Sequence, residues 1–110
     1  MIVTTVRVLV PQENQRELAQ TVRSLLRSIR RQKGHLGSNL YLDLGDDDAF
    51  CLIGEWETQE DLNNHLRSDD FAVLFGAINL LKKTSEIEFR VLTPTAGLEV
   101  VEAARGRIEL

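Results

Sequence analysis

Two stretches of this chain are apolar on both faces of a strand, and that pattern restricts its folds more than any other feature. Between Ile2 and Val10, residues Val6, Val8 and Val10 share one parity while Val3 and Leu9 take the other. Phe50 to Glu57 repeats the pattern, with Phe50 and Leu52 set against Cys51 and Ile53. Successive side chains of a strand point to opposite faces. Strands apolar on both parities therefore need cover on both sides.

The remaining segments supply cover for one side. Pro11 ends the first strand, and Glu13 to Gln32 places Leu18, Val22, Leu25, Leu26 and Ile29 on one stripe of an amphipathic helix, with Gly34 as its stop. Leu40, Leu42 and Leu44 then alternate with Asn39, Tyr41 and Asp43. A turn over Gly45, Asp46, Asp47 and Asp48 leads to the strand Phe50 to Glu57, completing a β-hairpin. Thr58 with Asp61 resembles a capping box opening a short helix that carries Leu62 and Leu66. Ser68, Asp69 and Asp70 start a second helix with the stripe Phe71, Leu74, Phe75, Ile78 and Leu81, closed by Lys82 and Lys83. Ile87, Phe89 and Val91 alternate as a last strand before Pro94.

The order β, α, β, β, broken α, β is the ferredoxin-like split βαβ arrangement, an α+β fold with helices on one face of a four-stranded antiparallel sheet. Residues 1–94 form the domain. The tail, 95–110, carries Leu98, Val100 and Val101 between Gly97 and Gly106, and is read as an extra edge strand, a segment crossing to a partner, or a partly disordered end. Helices on one face leave the other face apolar and bare. A second copy packed sheet against sheet covers it, so a homodimer is expected.

Thirteen basic and seventeen acidic residues give a net charge of −4, which argues against nucleic acid as a partner. The cluster Arg27, Arg30, Arg31 and Lys33 lies where cations stabilise the carbonyl end of a helix. No apolar run approaches the ~20 residues of a membrane span, the N-terminal residues enter a strand rather than a secretion signal, and Cys51 has no partner for a disulfide. A cytoplasmic location without membrane contact follows as the expectation. Glycine-rich phosphate loops, paired cysteines and nucleophile elbows are missing from the sequence. A calcium loop starting at Asp46 needs glycine at its sixth position, where Cys51 stands, so no metal site is expected there.

The spaced residues Trp56, Leu62, His65, Ser68 and Phe71 resemble the antibiotic biosynthesis monooxygenase-like (ABM) family of the dimeric α+β barrel superfamily. The resemblance covers residues 2 to 93 and leaves out the tail. It implies a sandwiched dimer with ligand pockets between helices and sheet. It also implies, for some members, oxidation of quinols or polycyclic phenols without metal or flavin; others degrade haem. A cofactor-independent monooxygenase acting on a small aromatic quinol or phenol is therefore one expected function. A non-catalytic small-ligand-binding protein, or a degenerate member with a filled pocket, is the alternative. Leu52 stands where some quinol-oxidising members carry asparagine, and Phe75 where the haem-degrading branch carries its iron-ligating histidine. Both departures favour that alternative.

His65, on the first short helix, is the catalytic candidate, because imidazole is the side chain best suited to take a proton near neutral pH. The competing reading is a ring bonded to a carbonyl or carboxylate that locks the helix break at Ser68. Trp56 is expected as a pocket wall beside Gly54, or else as a core anchor. Phe71 joins it as a substrate-binding candidate, together with Asn39 and Tyr41 as polar groups on the neighbouring strand, or as ordinary strand-face residues. His35 reads as a loop residue after Gly34, and Cys51 as packing at the dimer seam.

Overall fold

In the computed structural model, which describes residues 1–83 and 87–106, β1 (Ile2–Leu9) lies inside the sheet with antiparallel partners on both sides. β2 (His35–Asp43) and β3 (Asp46–Trp56) form the hairpin, and β4 (Ile87–Leu92) closes the far edge, in the order β2-β3-β1-β4. Between the strands run α1 (Gln12–Ile29), α2 (Gln59–Leu66) and α3 (Asp69–Leu81), and α4 (Leu98–Ala104) follows β4. This is the ferredoxin-like α+β architecture. No helix among the described residues is long and apolar enough to cross a membrane.

The sheet face toward α1 and α3 holds the core. Val6, Val8 and Phe50 pack against Leu18 and Val22 of α1 and Leu74, Ile78 and Leu81 of α3. A second cluster joins Trp56 to Ile29 and Leu62, under the start of α2. Each such side chain contributes about 1.5–3 kcal/mol by leaving water, whereas a helix cap contributes about 1 kcal/mol. Packing therefore holds the helices on the sheet, and the caps set where they begin. Thr58 Oγ1 accepts from Asp61 N at 3.1 Å and Ser68 Oγ from Phe71 N at 3.2 Å, so both expected helix starts are present.

The opposite face is mixed. Register pairs Thr5 with Ile53 and Arg7 with Cys51 across β1 and β3, and Asn39 with Ile53 and Tyr41 with Cys51 across β2 and β3. Val3, Thr5, Leu9, Cys51 and Ile53 are half-buried there. Arg7 reaches Asp43 at 3.8 Å and Asp46 at 3.9 Å on the same side.

Four boundaries differ from the sequence expectation. α1 ends at Ile29, short of Gln32, and Gly34 at φ 79° serves the loop after it: its carbonyl accepts from Glu57 N at 2.7 Å. β2 begins at His35, so that residue is paired with Trp56 and is not in a loop; a register shift after it pushes Leu36 out to solvent. The hairpin turn is Leu44 and Gly45, with Asp43 Oδ1 accepting from Gly45 N at 2.7 Å, and β3 already runs from Asp46. Within the tail, Leu98–Ala104 forms α4, a helix with no buried residue, where an edge strand is one of the three sequence readings; residues 107–110 lie outside the described residues.

Candidate active site

β3 delivers Trp56 at its last residue, and the turn into α2 folds back so that His65, in the final turn of that helix, lies on the indole. The two rings stack with centroids 4.5 Å apart and planes 24° from parallel. His35 meets the indole edge-on from β2 at 5.2 Å, and Phe71 meets His65 edge-on from α3 at 5.4 Å. Phe75 stacks on Phe71 at 5.7 Å, extending the run of rings along α3. Trp56 and His65 are both buried.

A cavity of about 30 Å³ opens beside these rings, between the helices and the sheet. Thr4, Ser38 and Gly54 form its polar floor, Leu52, Leu74 and Ile78 its apolar wall, and Phe75 and Phe89, each 40% exposed, stand at its outer side. Gly54 makes the space: a Cβ there would lie 2.9 Å from Thr4 Oγ1 and 3.4 Å from Trp56 Nε1. The volume suffices for a water or two, at roughly 10–15 Å³ each. It is far below the roughly 300 Å³ of pockets that enclose drug-sized ligands.

His65 Nδ1 lies 2.8 Å from Gln32 Oε1, in the loop after α1. Gln32 Nε2 donates to Asp70 Oδ2 at 2.9 Å, and Ser28 Oγ donates to the same oxygen at 2.7 Å. The backbone carbonyl of His65 accepts from Ser68 Oγ at 2.6 Å and Ser68 N at 2.9 Å, which fixes the break between α2 and α3. The ring itself thus bonds a side-chain amide, and it is the main chain of His65 that locks the break. Burial pushes the imidazole down from its ordinary 6.5 to about 4, the charge of His35 adds to the shift, and Asp70 opposes it. His35 is also lowered, by burial first and Arg30 second, against Glu55; its Nε2 lies 2.8 Å from Ser38 Oγ.

Among the described residues neither His65 Nε2 nor Trp56 Nε1 has a hydrogen-bond partner. Among the described residues no buried side-chain nitrogen or oxygen lacks a partner, so both atoms keep some accessible surface, and both residues line the cavity. A hydroxyl within reach of both would accept from the indole N–H and donate to an unprotonated Nε2. No group of three or more His, Cys, Asp or Glu side chains among the described residues is placed to hold a metal ion.

Of the residues singled out from sequence, His65, Trp56 and Phe71 meet at this cavity. Asn39 and Tyr41 do not: strand alternation puts them beside Ile53 and Cys51 on the face away from the helices, and Tyr41 is half exposed. Ser38 and Leu40 hold the helix-facing positions of β2, opposite Gly54 and Leu52. Leu52 and Phe75 both line the cavity, at its wall and its mouth. Gln32, His35, Ser38 and Asp70 were not legible as site residues. The register shift after His35 hid its facing, and Asp70 reads from sequence only as a charge at a helix start.

The sequence profile described as "Antibiotic biosynthesis monooxygenase" matches residues 1–75. No curated protein matches the chain. Among solved structures, a conserved protein from Methanosarcina mazei Go1 superposes with a TM-score of 0.79 at 21% identity, over 86% of this chain and 92% of that one. An antibiotic biosynthesis monooxygenase superposes at 0.76 with 20% identity, over 87% of this chain and all (100%) of the other. Rv0793 from Mycobacterium tuberculosis gives 0.77 at 14% identity, over 87% and 96%. At these identities the likeness is one of fold.

Proposed function

The chain belongs to the antibiotic biosynthesis monooxygenase family, and from that premise we propose that it is a cofactor-independent monooxygenase acting on a small aromatic quinol or phenol. The observation that supports this reading is the pair of open atoms at the cavity, the Trp56 indole N–H and the His65 Nε2 lone pair, on stacked rings. A phenolic hydroxyl bridges them, and Phe71 packs at the other side of the imidazole. His65 takes the phenolic proton. The resulting electron-rich anion passes an electron to dioxygen, and the two radicals join through a carbon–oxygen bond at a ring C–H carbon. The peroxide anion takes back the proton held by His65, and loss of water from the hydroperoxide, using that carbon's hydrogen, leaves a quinone carbonyl.

Magnitudes shape this mechanism. An imidazole held near 4 accepts a proton from a phenol of pKa about 10 across about six pK units, or roughly 8 kcal/mol in the empty site. Pairing of phenolate with imidazolium away from water returns much of that, since charges attract more strongly at low dielectric. Desolvation by the substrate is therefore part of the chemistry. Phe75 and Phe89 must swing aside to admit a ring, because the cavity holds only about 30 Å³ as it stands.

The test is oxygen consumption by metal-free, flavin-free protein with simple hydroquinones and naphthols. The proposed role of His65 predicts a loss of about 10²-fold or more in His65→Ala, the usual contribution of a general base. Equal rates in the two proteins would remove His65 from the mechanism.

The small cavity favours a second reading, a binding or degenerate member in which Leu52 and Phe75 fill the space. That reading predicts no oxygen consumption with any quinol; a binding member would still be stabilised thermally by a ligand it takes, and a filled one would not. Under either reading we propose a homodimer in a reducing cytoplasm, its sheets packed through the half-buried strip around Thr5, Cys51 and Ile53.

A further inference from the structure

Hydrogen-bond bookkeeping around His65 assigns its tautomer. Asp70, as a carboxylate, only accepts, so the nitrogen of the Gln32 carboxamide must face it, at 2.9 Å. Ser68 Oγ, 3.4 Å from the same nitrogen, has already given its hydrogen to the His65 carbonyl and has lone pairs to receive. The Gln32 oxygen is thereby turned to His65 Nδ1, at 2.8 Å, and an amide oxygen has no proton to give. Nδ1 must carry the hydrogen. The opposite amide orientation sets an oxygen against a carboxylate and loses both bonds.

We propose that Gln32 is a positioning residue whose carboxamide, anchored by Asp70 at the start of α3, holds His65 in the Nδ1–H tautomer and so turns a bare Nε2 lone pair into the cavity. The inference rests on the reading of His65 as a base and adds how the protein prepares it. A ring free to exchange its proton spends part of its time with Nε2 protonated and unable to act. Gln32 is 33 residues from His65 and Asp70 is 38 from Gln32, so the α+β fold, and no local motif, brings the three together. The network also makes sense of a neutral link. A carboxylate at position 32 would face Asp70 as a like charge, whereas the amide relays the acceptor character of Asp70 to the ring with no second charge in the site.

The experiment is a long-range nitrogen–hydrogen NMR correlation on the imidazole of uniformly nitrogen-15-labelled full-length protein near pH 7.5, where the ring is neutral. Wild type is expected to show a pyrrole-type Nδ1 and a pyridine-type Nε2. A protonated Nε2, or the averaged shifts of a mixture, would overturn the proposal without any variant. In Gln32→Leu and in the milder Asp70→Ala the ring is expected to move toward a mixture, with kcat falling about two- to fivefold, in proportion to the Nε2-protonated fraction the spectrum reads, and KM little changed, as expected when the base is misprotonated but binding persists. Wild-type shifts in both variants would show that Gln32 does not select the tautomer. The exchanged pair Gln32→Glu with Asp70→Asn restores an acceptor at Nδ1 and a donor behind it; it is expected to recover the Nδ1–H form and to raise the imidazole pKa above the wild-type value. Failure of that double variant to recover the tautomer counts against the relay. The ring spectrum needs no substrate, so equal oxygen consumption by wild type and His65→Ala would sink the catalytic reading while the tautomer is decided separately.

Discussion

Gly54 and His65 set, one by shape and one by charge, what this site can hold. A methyl group on Gly54 would sit 2.9 Å from Thr4 Oγ1, so Gly54→Ala is expected to close the cavity and to cost about 1–3 kcal/mol by overpacking, read from urea denaturation. Unchanged stability would mean that the floor has slack. His65 links the site to pH. Its folded pKa, about 4, is below the unfolded 6.5, so in that window the unfolded chain binds more protons and stability is lost as pH falls. The expected loss between pH 6.5 and 4 is roughly 3 kcal/mol from this ring, with His35 adding in the same direction. Carboxylates also titrate there, so the difference between wild type and His65→Gln is the measurement: the variant is expected to have the flatter curve, and parallel curves would show that the buried ring is not the source.

The elements were legible wherever one physical signal dominated. The stripe from Leu18 to Ile29 gave α1, the hydroxyl caps Thr58 and Ser68 gave the two helix starts, and both-parity strands gave the central β1 and β3. Failures came where tertiary bonds overrode local preference. Gln32 leaves the helix to reach His65, three aspartates enter β3 because its start is exposed, and a bulge carries His35 under the indole. α4 buries none of its residues, so its apolar residues did not reveal helix or strand. Two glycines test the same distinction. Gly34→Ala is expected to destabilise strongly, because its φ of 79° is costly for a side chain and the new methyl would run into Asp61. Gly76, in the exposed middle of α3 with nothing nearby, is expected to gain about 0.5–1 kcal/mol on change to Ala. Thermal denaturation of the pair distinguishes a glycine required by the loop from one that α3 merely tolerates; similar shifts in both would contradict that reading of the loop.

As a whole the molecule is more extended than a single compact chain of this length. Its radius of gyration is 16.0 Å, against about 13 Å expected. The exposed α4, with Leu98, Val100 and Val101 open to solvent, and the half-buried strip on the outer sheet face both suit a larger assembly. Ile53→Asp places a charge in that strip, on the sheet face away from the cavity. It is expected to shift sedimentation from dimer toward monomer with the circular dichroism spectrum retained; a wild-type monomer at micromolar concentration would remove the dimer from the account. The site depends on a different whole-molecule property, the ability of Phe75 and Phe89 at the outer side of the helix–sheet layer to swing aside and admit a ring beside the stacked Trp56 and His65. The chain has one tryptophan, so its indole N–H gives a single resonance that reports on that space. Titration of the folded protein with 1-naphthol is expected to move this resonance saturably, and to do so less in Gly54→Ala. An indole resonance that stays fixed up to millimolar ligand would contradict a substrate site at these rings.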